Sequence, residues 1–229
     1  LGKLMQPRLQ KVHEETRQAK AEAVRHVRLE RVPISVGVGE TIGHSRISAA
    51  MERMRKRVPQ AEIELIVASS HELLSGLRDG DFDVVVTADK VSEDLYRIDI
   101  LYEEDYKVVV SKSHPLSELN TISLSTLAQT DMLDRLNCEM RDTLHGTCAD
   151  QGYDLYAAYR SNRVDWLVEL ARQGLGAVIL PTTAIPADRG LVSILIDGLE
   201  ISRTVSALRY RHQTTRPETN DLIREIARV

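Results

Sequence analysis

Aromatic residues make up only 4% of this 229-residue chain, with a single Trp and a single Phe. That scarcity argues against a protein that stacks its side chains on the bases of single-stranded nucleic acid. The two cysteines are too few for a disulfide framework and set a reducing cytoplasm as the expected location. No apolar run approaches the roughly 20 residues needed to cross a bilayer, and no stretch has the pattern of a signal peptide. Catalytic signatures are missing as well: G-x-S-x-G, H-E-x-x-H, C-x-x-C and the Walker loop do not occur. Gly37-Val38-Gly39 lacks the third glycine of a dinucleotide fingerprint, and Gly174-Leu175-Gly176 precedes a strand instead of following one. The seven histidines are scattered without metal-ligand spacing. Neither a metal nor a cofactor is expected, and the chain is not expected to be an enzyme.

A hydrophobic content of 42% and a charged content of 28% belong to an ordinary globular chain and exclude disorder as the default. The net charge of −4 is unevenly spread. Residues 1–32 carry eight Lys/Arg against four Glu, a net of +4 that leaves −8 on the rest. Within this basic segment Met5, Leu9, Val12, Thr16, Ala19, Ala23 and Val27 approximate a heptad seam, with small residues in its second half that let a partner helix approach closely. So narrow an apolar stripe does not stabilise a lone helix, which predicts pairing between chains, as a homodimer or homotetramer. The chain starts at Leu1, without Met, and a further segment is expected ahead of it.

From Pro33 to Ala88 the pattern reads strand, loop, helix, strand, loop, helix, strand. Ile34, Val36 and Val38 form the first strand, and Ile47, Ala50, Met51, Met54 and Val58 recur at helical spacing up to Pro59. Ile63, Leu65 and Val67 alternate as a second strand. Ser69 with Glu72 makes a capping box, Gly80 closes that helix, and Val84–Val86 is a strand covered on both faces. Further strands are expected at Ile98–Leu101, Tyr106–Val110, Met132–Leu133, Leu155–Tyr159, Ala177–Leu180, Val192–Ile196 and Thr204–Tyr210. Ser125 is expected to cap a short helix, Asp134–Asn137 to form a polar loop, and Met140, Leu144 and Cys148 to share a helical stripe. Asn162 and Pro217 open two more helices. The whole order is α/β.

Open sheets of this kind bind ligands beyond the carboxyl ends of their strands. Thr41 follows the first strand, Ser69 and Ser70 the second, and Asn137 and Cys138 precede a later helix. Hydroxyls beside free helix N–H groups suit an anion, although ordinary helix caps use the same residue types. Ser69 reads as such a cap. Thr41 and Ser70, next to the caps, do not.

ERVPISVGV, Ile42-Gly43, RVPQAEIEL, LLSGLRDGDFDVVV, YEEDYKVVVSKSHPL and LVELARQGLGAVILP, in this order and spacing, resemble a LysR-type transcriptional regulator over essentially the whole chain. The resemblance covers that family's linker helix and effector domain, without the DNA-reading domain. It implies two Rossmann-like subdomains of the periplasmic-binding-protein type with a ligand cleft between them, preceded by a long linker helix at 1–32. Subdomain I would be 33–110 with 204–229, and subdomain II 111–203. By position in the motifs, Thr41 and Ser70 match the family's ligand-binding hydroxyls. Arg135 to Cys138 (with Asn137) and the helix start at Arg163–Val164 match its second-subdomain side. His44, His71, Arg135 and Arg163 near these loops favour a small organic carboxylate as effector. DNA would be met only through a separate N-terminal domain, and no membrane is involved.

Two alternatives remain open at this point. LysR-type peroxide sensors carry a regulatory disulfide in the region of Cys138 and Cys148, and Arg141-Asp142 with Cys148 and Gly152 resembles that segment, with the spacing off by one residue. A helix between the two cysteines holds them roughly 15 Å apart, beyond the ~7 Å that a disulfide spans. A solute-binding protein would share the two-lobed body but gives the basic seam helix no role.

Overall fold

The computed structural model describes residues 5, 8, 9, 11, 12, 15–17, 19, 20, 31–136, 138–198 and 201–228. The chain divides into two compact units, residues 1–102 with 204–229 and residues 103–203. The first division falls eight residues before the boundary expected at Val110. It lies inside one long strand, Tyr96–Ser111, where two strands were expected.

In the first unit, β1 (Val32–Gly39) is central and parallel to both β2 (Ala61–Ala68) and β3 (Val84–Thr87). Val36 pairs with Leu65 on one side and Val84 on the other. The crossovers are α1 (His44–Arg57) and α2 (Ser70–Asp79). Helices cover both faces of β3, with Val85 packed against Leu73 and Leu77 of α2 and Val84 and Val86 in the core with Ile47 and Met54 of α1, which is why β3 is apolar without alternation. The α1 stripe Ile47, Ala50 and Met54 packs with α6 (Pro217–Ala227) on the β1 core. Arg53 Nε of α1 donates to Glu225 of α6 at 2.9 Å. The capping box is present: Ser69 Oγ accepts from Glu72 N, and Gly80 ends α2 in the left-handed region at φ 84°. The described residues of 5–20 are helical, with Met5, Leu9 and Val12 exposed. Arg17 reaches Asp83 at 3.1 Å, and Asp83 also accepts from Ser35 N at 2.9 Å. Ala23 and Val27 of the predicted seam lie outside the described residues.

β2 departs from expectation. Leu65 and Val67, on the alternating face meant for the core, are 38% and 53% exposed, and Ile66 is 41% exposed. β2 is the edge strand of the sheet, next to β1, and among the described residues α1 is the helix that packs on it.

The long strand is β4 (Tyr96–Ser111), which runs from the first unit into the second, as β10 (Ser202–Tyr210) runs back. In the second unit, β4 lies between β8 (Ala177–Pro181) and β9 (Leu191–Asp197), antiparallel to both. β6 (Met132–Arg135) is parallel to β8 and to β7 (Ala157–Ser161), and β5 (Thr121–Ser123) is parallel to β9. α3 (Leu124–Ala128) is capped by Ser123, not Ser125, because the strand β5 ends there and Ser123 Oγ accepts from Thr126 N. α4 (Arg141–Asp150) starts after Met140, and it buries Leu144 and Cys148 against Tyr106, Val108 and Met132. α5 (Val164–Arg172) buries Leu167, Val168 and Ala171 against Val109, Leu133 and Val178. The expected loop at Asp134 is strand: β7 pairs with β6 through Ser161, which places Arg135 at the carboxyl end of β6. β7 itself starts at Ala157, later than the expected Leu155.

Candidate functional site

In the first unit, the turn after β1 is closed by Ile42 N donating to Gly39 O at 3.0 Å. It delivers Thr41, 6% exposed, just ahead of α1. Gly43 caps α1 and supplies no side-chain hydrogen bond, so the first N–H groups of α1 are left to other partners. His44, exposed, lines a cavity of about 190 Å³ together with Gly39, Glu40, Ile42, Leu65 and Val67. Ser70 is the first residue of α2, exposed, with His71 exposed beside it. The cap is Ser69, whose hydroxyl and backbone N–H both donate to the Glu72 carboxylate, holding it below the usual carboxylate range.

The second unit holds a buried charged cluster. Arg135 and Arg203 are each 5% exposed, and both guanidiniums end on the carboxylate of Glu139. Tyr106 donates its hydroxyl to Glu139 Oε1 at 2.5 Å. The remaining side of Arg203 is taken by Glu104 at 2.8 and 3.0 Å, and Glu104 accepts from Thr183 N at 2.7 Å. Burial pushes the Glu139 carboxyl up, but the charges of Arg135 and Arg203 and the Tyr106 bond outweigh it and hold the group at about 2. Burial, then the neighbouring Glu139 charge, raises Tyr106, which stays a neutral donor. Charge-assisted bonds of this kind are about twice as strong as neutral ones, and removing one partner from such a set leaves an uncompensated buried charge. Beside the cluster, Arg135, Cys138, Met132, Leu144, Ile179 and Ile201 are among the residues lining a mostly apolar cavity of about 40 Å³. Arg135 Nε has no partner among the described residues.

Of the residues expected from sequence, Arg135 and Cys138 come together here, lining the same cavity. Asn137 lies outside the described residues. Arg163 is exposed at the start of α5 and pairs with Asp165, its Nε donating at 3.0 Å. Val164 packs against the α5 core. Cys138 and Cys148 are both free thiols, Cys138 half-buried and Cys148 buried at 1% exposure. Burial raises the Cys148 thiol. Glu139, Arg203, Glu104 and Tyr106 were not anticipated. The one local signal was the four-residue spacing of Arg135 and Glu139. Among the described residues, no group of three or more His, Cys, Asp or Glu could hold a metal ion.

A profile of the LysR substrate binding domain matches residues 28–229. The chain belongs to the LysR substrate-binding family. Among its curated LysR-type relatives, the hydrogen peroxide-inducible genes activator of Dickeya chrysanthemi is 28% identical over 185 residues, covering 78% of this chain and 60% of the relative. The DNA-binding transcriptional dual regulator OxyR of Escherichia coli K12 gives the same identity and the same coverage. The chain thus spans 60% of the length of these relatives. In structure, a putative LysR family regulator from Pseudomonas aeruginosa superposes with a TM-score of 0.77 at 16% identity, over 95% of this chain and 79% of that one. The effector binding domain of QuiR, in complex with shikimate, gives 0.74 at 15% identity, over 86% and 96%. These likenesses establish the fold, two α/β subdomains of the periplasmic-binding-protein type. Among the described residues, no helix is long and apolar enough to cross a membrane.

Proposed function

We propose that this LysR-family chain is the effector-sensing and oligomer-forming part of a cytoplasmic transcription regulator, with DNA contacted by a separate N-terminal domain and no enzymatic activity. The observation that carries this reading is the family profile over residues 28–229, joined to a fold of two α/β units. The effector is a small organic carboxylate bound at the first unit. Support comes from α1, whose amino end lacks a side-chain cap, with buried Thr41 and exposed His44 beside it. The test is a thermal-shift panel of small carboxylates and their neutral amides. Thr41→Ala is expected to weaken the best binder by about 1 kcal/mol, or up to about 3 if a charged group loses its partner. A panel in which no carboxylate raises the melting temperature, or a Thr41→Ala chain that melts earlier with unchanged affinity, would refute the carboxylate site.

Oligomer formation is assigned to the exposed apolar strand β2 and the helix carrying Met5, Leu9 and Val12, because an apolar strand at a sheet edge is a template for pairing. Val67→Lys is expected to lower the sedimenting mass at concentrations where the natural chain is a dimer or tetramer. An unchanged mass would remove β2 from the interface.

A second reading is favoured by the relatives named as hydrogen peroxide-inducible activators. A thiol sensor would use Cys138 and Cys148. Cys148 sits in the core with its thiol raised by burial, which opposes reaction through a thiolate.

A further inference from the structure

Arg135 reads, from sequence, as a cation inviting a ligand carboxylate. Geometry says otherwise. Arg135 at the end of β6 and Arg203 at the start of β10 already share one carboxylate, that of Glu139, and Arg203 has a second in Glu104. Two guanidinium charges therefore face two carboxylates, with Tyr106 completing Glu139 through its hydroxyl. The two acids differ in how they are held. Glu104 is built into β4, but Glu139 stands in the turn between β6 and α4, outside any helix or strand. It occupies the place that a free anion would take between Arg135 and Arg203, and its partners Arg135 and Tyr106 line the small cavity, which the Arg141–Asp134 ion pair and His145 border on another side.

We propose that Glu139 is a tethered ligand of the second unit: it fills the Arg135–Arg203 pair, bars free carboxylates from these two arginines, and leaves the Arg135 end of the cavity to uncharged groups. A carboxylate on so short a tether acts at an effective concentration of roughly millimolar or more, so free carboxylates at ordinary metabolite levels do not displace it. A second carboxylate placed beside it would also meet a like charge in a buried setting. The group stays ionised throughout the neutral range, held at about 2. One donor is left over, Arg135 Nε, which is buried without a partner among the described residues. A carbonyl or hydroxyl oxygen satisfies it, and the apolar lining accepts the rest of such a group. Glu139 is therefore a specificity-determining residue: an effector can be anionic where it meets the first unit, but whatever part meets Arg135 in this cavity is neutral. The purpose of the device rests on the effector-sensing reading. Its chemistry does not.

The experiment is an acetate titration of the natural chain, Glu139→Ala and Glu139→Gln, against sodium chloride at matched ionic strength. Melting temperature and the Arg Nε–H resonances are followed by thermal shift and NMR. Glu139→Ala is expected to melt well below the natural chain and to recover with acetate but not with chloride, binding acetate at least about tenfold more tightly than the natural chain. Glu139→Gln, which fills the same space without charge, is expected to show no recovery. A Glu139→Ala chain that folds and ignores acetate overturns the proposal. If Glu139→Ala does not fold under either condition, the natural chain decides. Arg135 and Arg203 resonances that ignore acetate support a filled pair, and resonances that shift saturably with acetate overturn it. A chain that responds to no effector would still give the acetate result, so failure of the regulatory reading and failure of this one are told apart.

Discussion

Replacing Glu139 by Gln keeps the shape of the side chain and removes its charge, which makes the variant a copy of the protonated natural residue. The carboxyl is held at about 2 in the folded protein, against an ordinary value of 4.5. A depressed folded value means that the unfolded chain binds the proton more readily. The contribution to stability is therefore fully present above about pH 4.5 and is lost as the pH falls toward 2. At about 1.4 kcal/mol for each tenfold step, that gap amounts to about 3 kcal/mol. The natural chain is expected to exceed Glu139→Gln by about 3 kcal/mol at pH 7, by about 1 at pH 3, and to converge with it near pH 2. Urea unfolding at several pH values measures this. Trp166, the single tryptophan, lies on α5 and reports on the second unit, while circular dichroism follows the whole chain. Equal stability of the two chains at pH 7, or a difference that stays constant down to pH 3, would refute the argument that Arg135 and Arg203 hold Glu139 ionised in the fold.

Dilute peroxide followed by thiol counting and peptide mapping is expected to find two free thiols, with half-buried Cys138 reacting before buried Cys148; rapid, reversible Cys138–Cys148 bridging would instead make redox sensing the function. Ser69→Ala is expected to cost about 1 kcal/mol through loss of the α2 cap. Ser70→Ala, at the exposed first position, is expected to stay within about 0.5 kcal/mol. If thermal melts reverse that order, the capping assignment is wrong. Gly176→Ala places a methyl group 2.4 Å from Asp131 O at a φ of 153°, where the two nearest atoms are backbone. It is expected to destabilise the second unit by at least about 3 kcal/mol, and a melt like that of the natural chain would contradict the geometry.

Much of the first unit was legible because its signals are local. Strand alternation, the Ser69–Glu72 capping box, Gly80 and Pro217 each act within a few residues, and each is found in the fold where the sequence put it. The family resemblance came from the same source, short motifs in a fixed order. Local reading failed where a strand's neighbours decide its fate. Leu65 and Val67 have the alternation of a core face, yet β2 ends the sheet and exposes them. β4 was expected as two strands on either side of Glu103–Asp105; Glu103 and Asp105 face solvent, but Glu104 is buried, and a carboxylate belongs in a buried strand only where a partner compensates it. That partner is Arg203, 99 residues away in sequence from Glu104. The same distance hid the second-unit cluster. Arg135 read as a free cation inviting an anion, since its neighbour Glu139 gave no sign of turning inward. A charged residue carries no mark in the sequence of whether it faces water or another charge. Only the strand order β10-β4-β8-β6 brings Tyr106, Arg135, Glu139 and Arg203 within hydrogen-bonding distance, and with them the burial that makes each depend on the others.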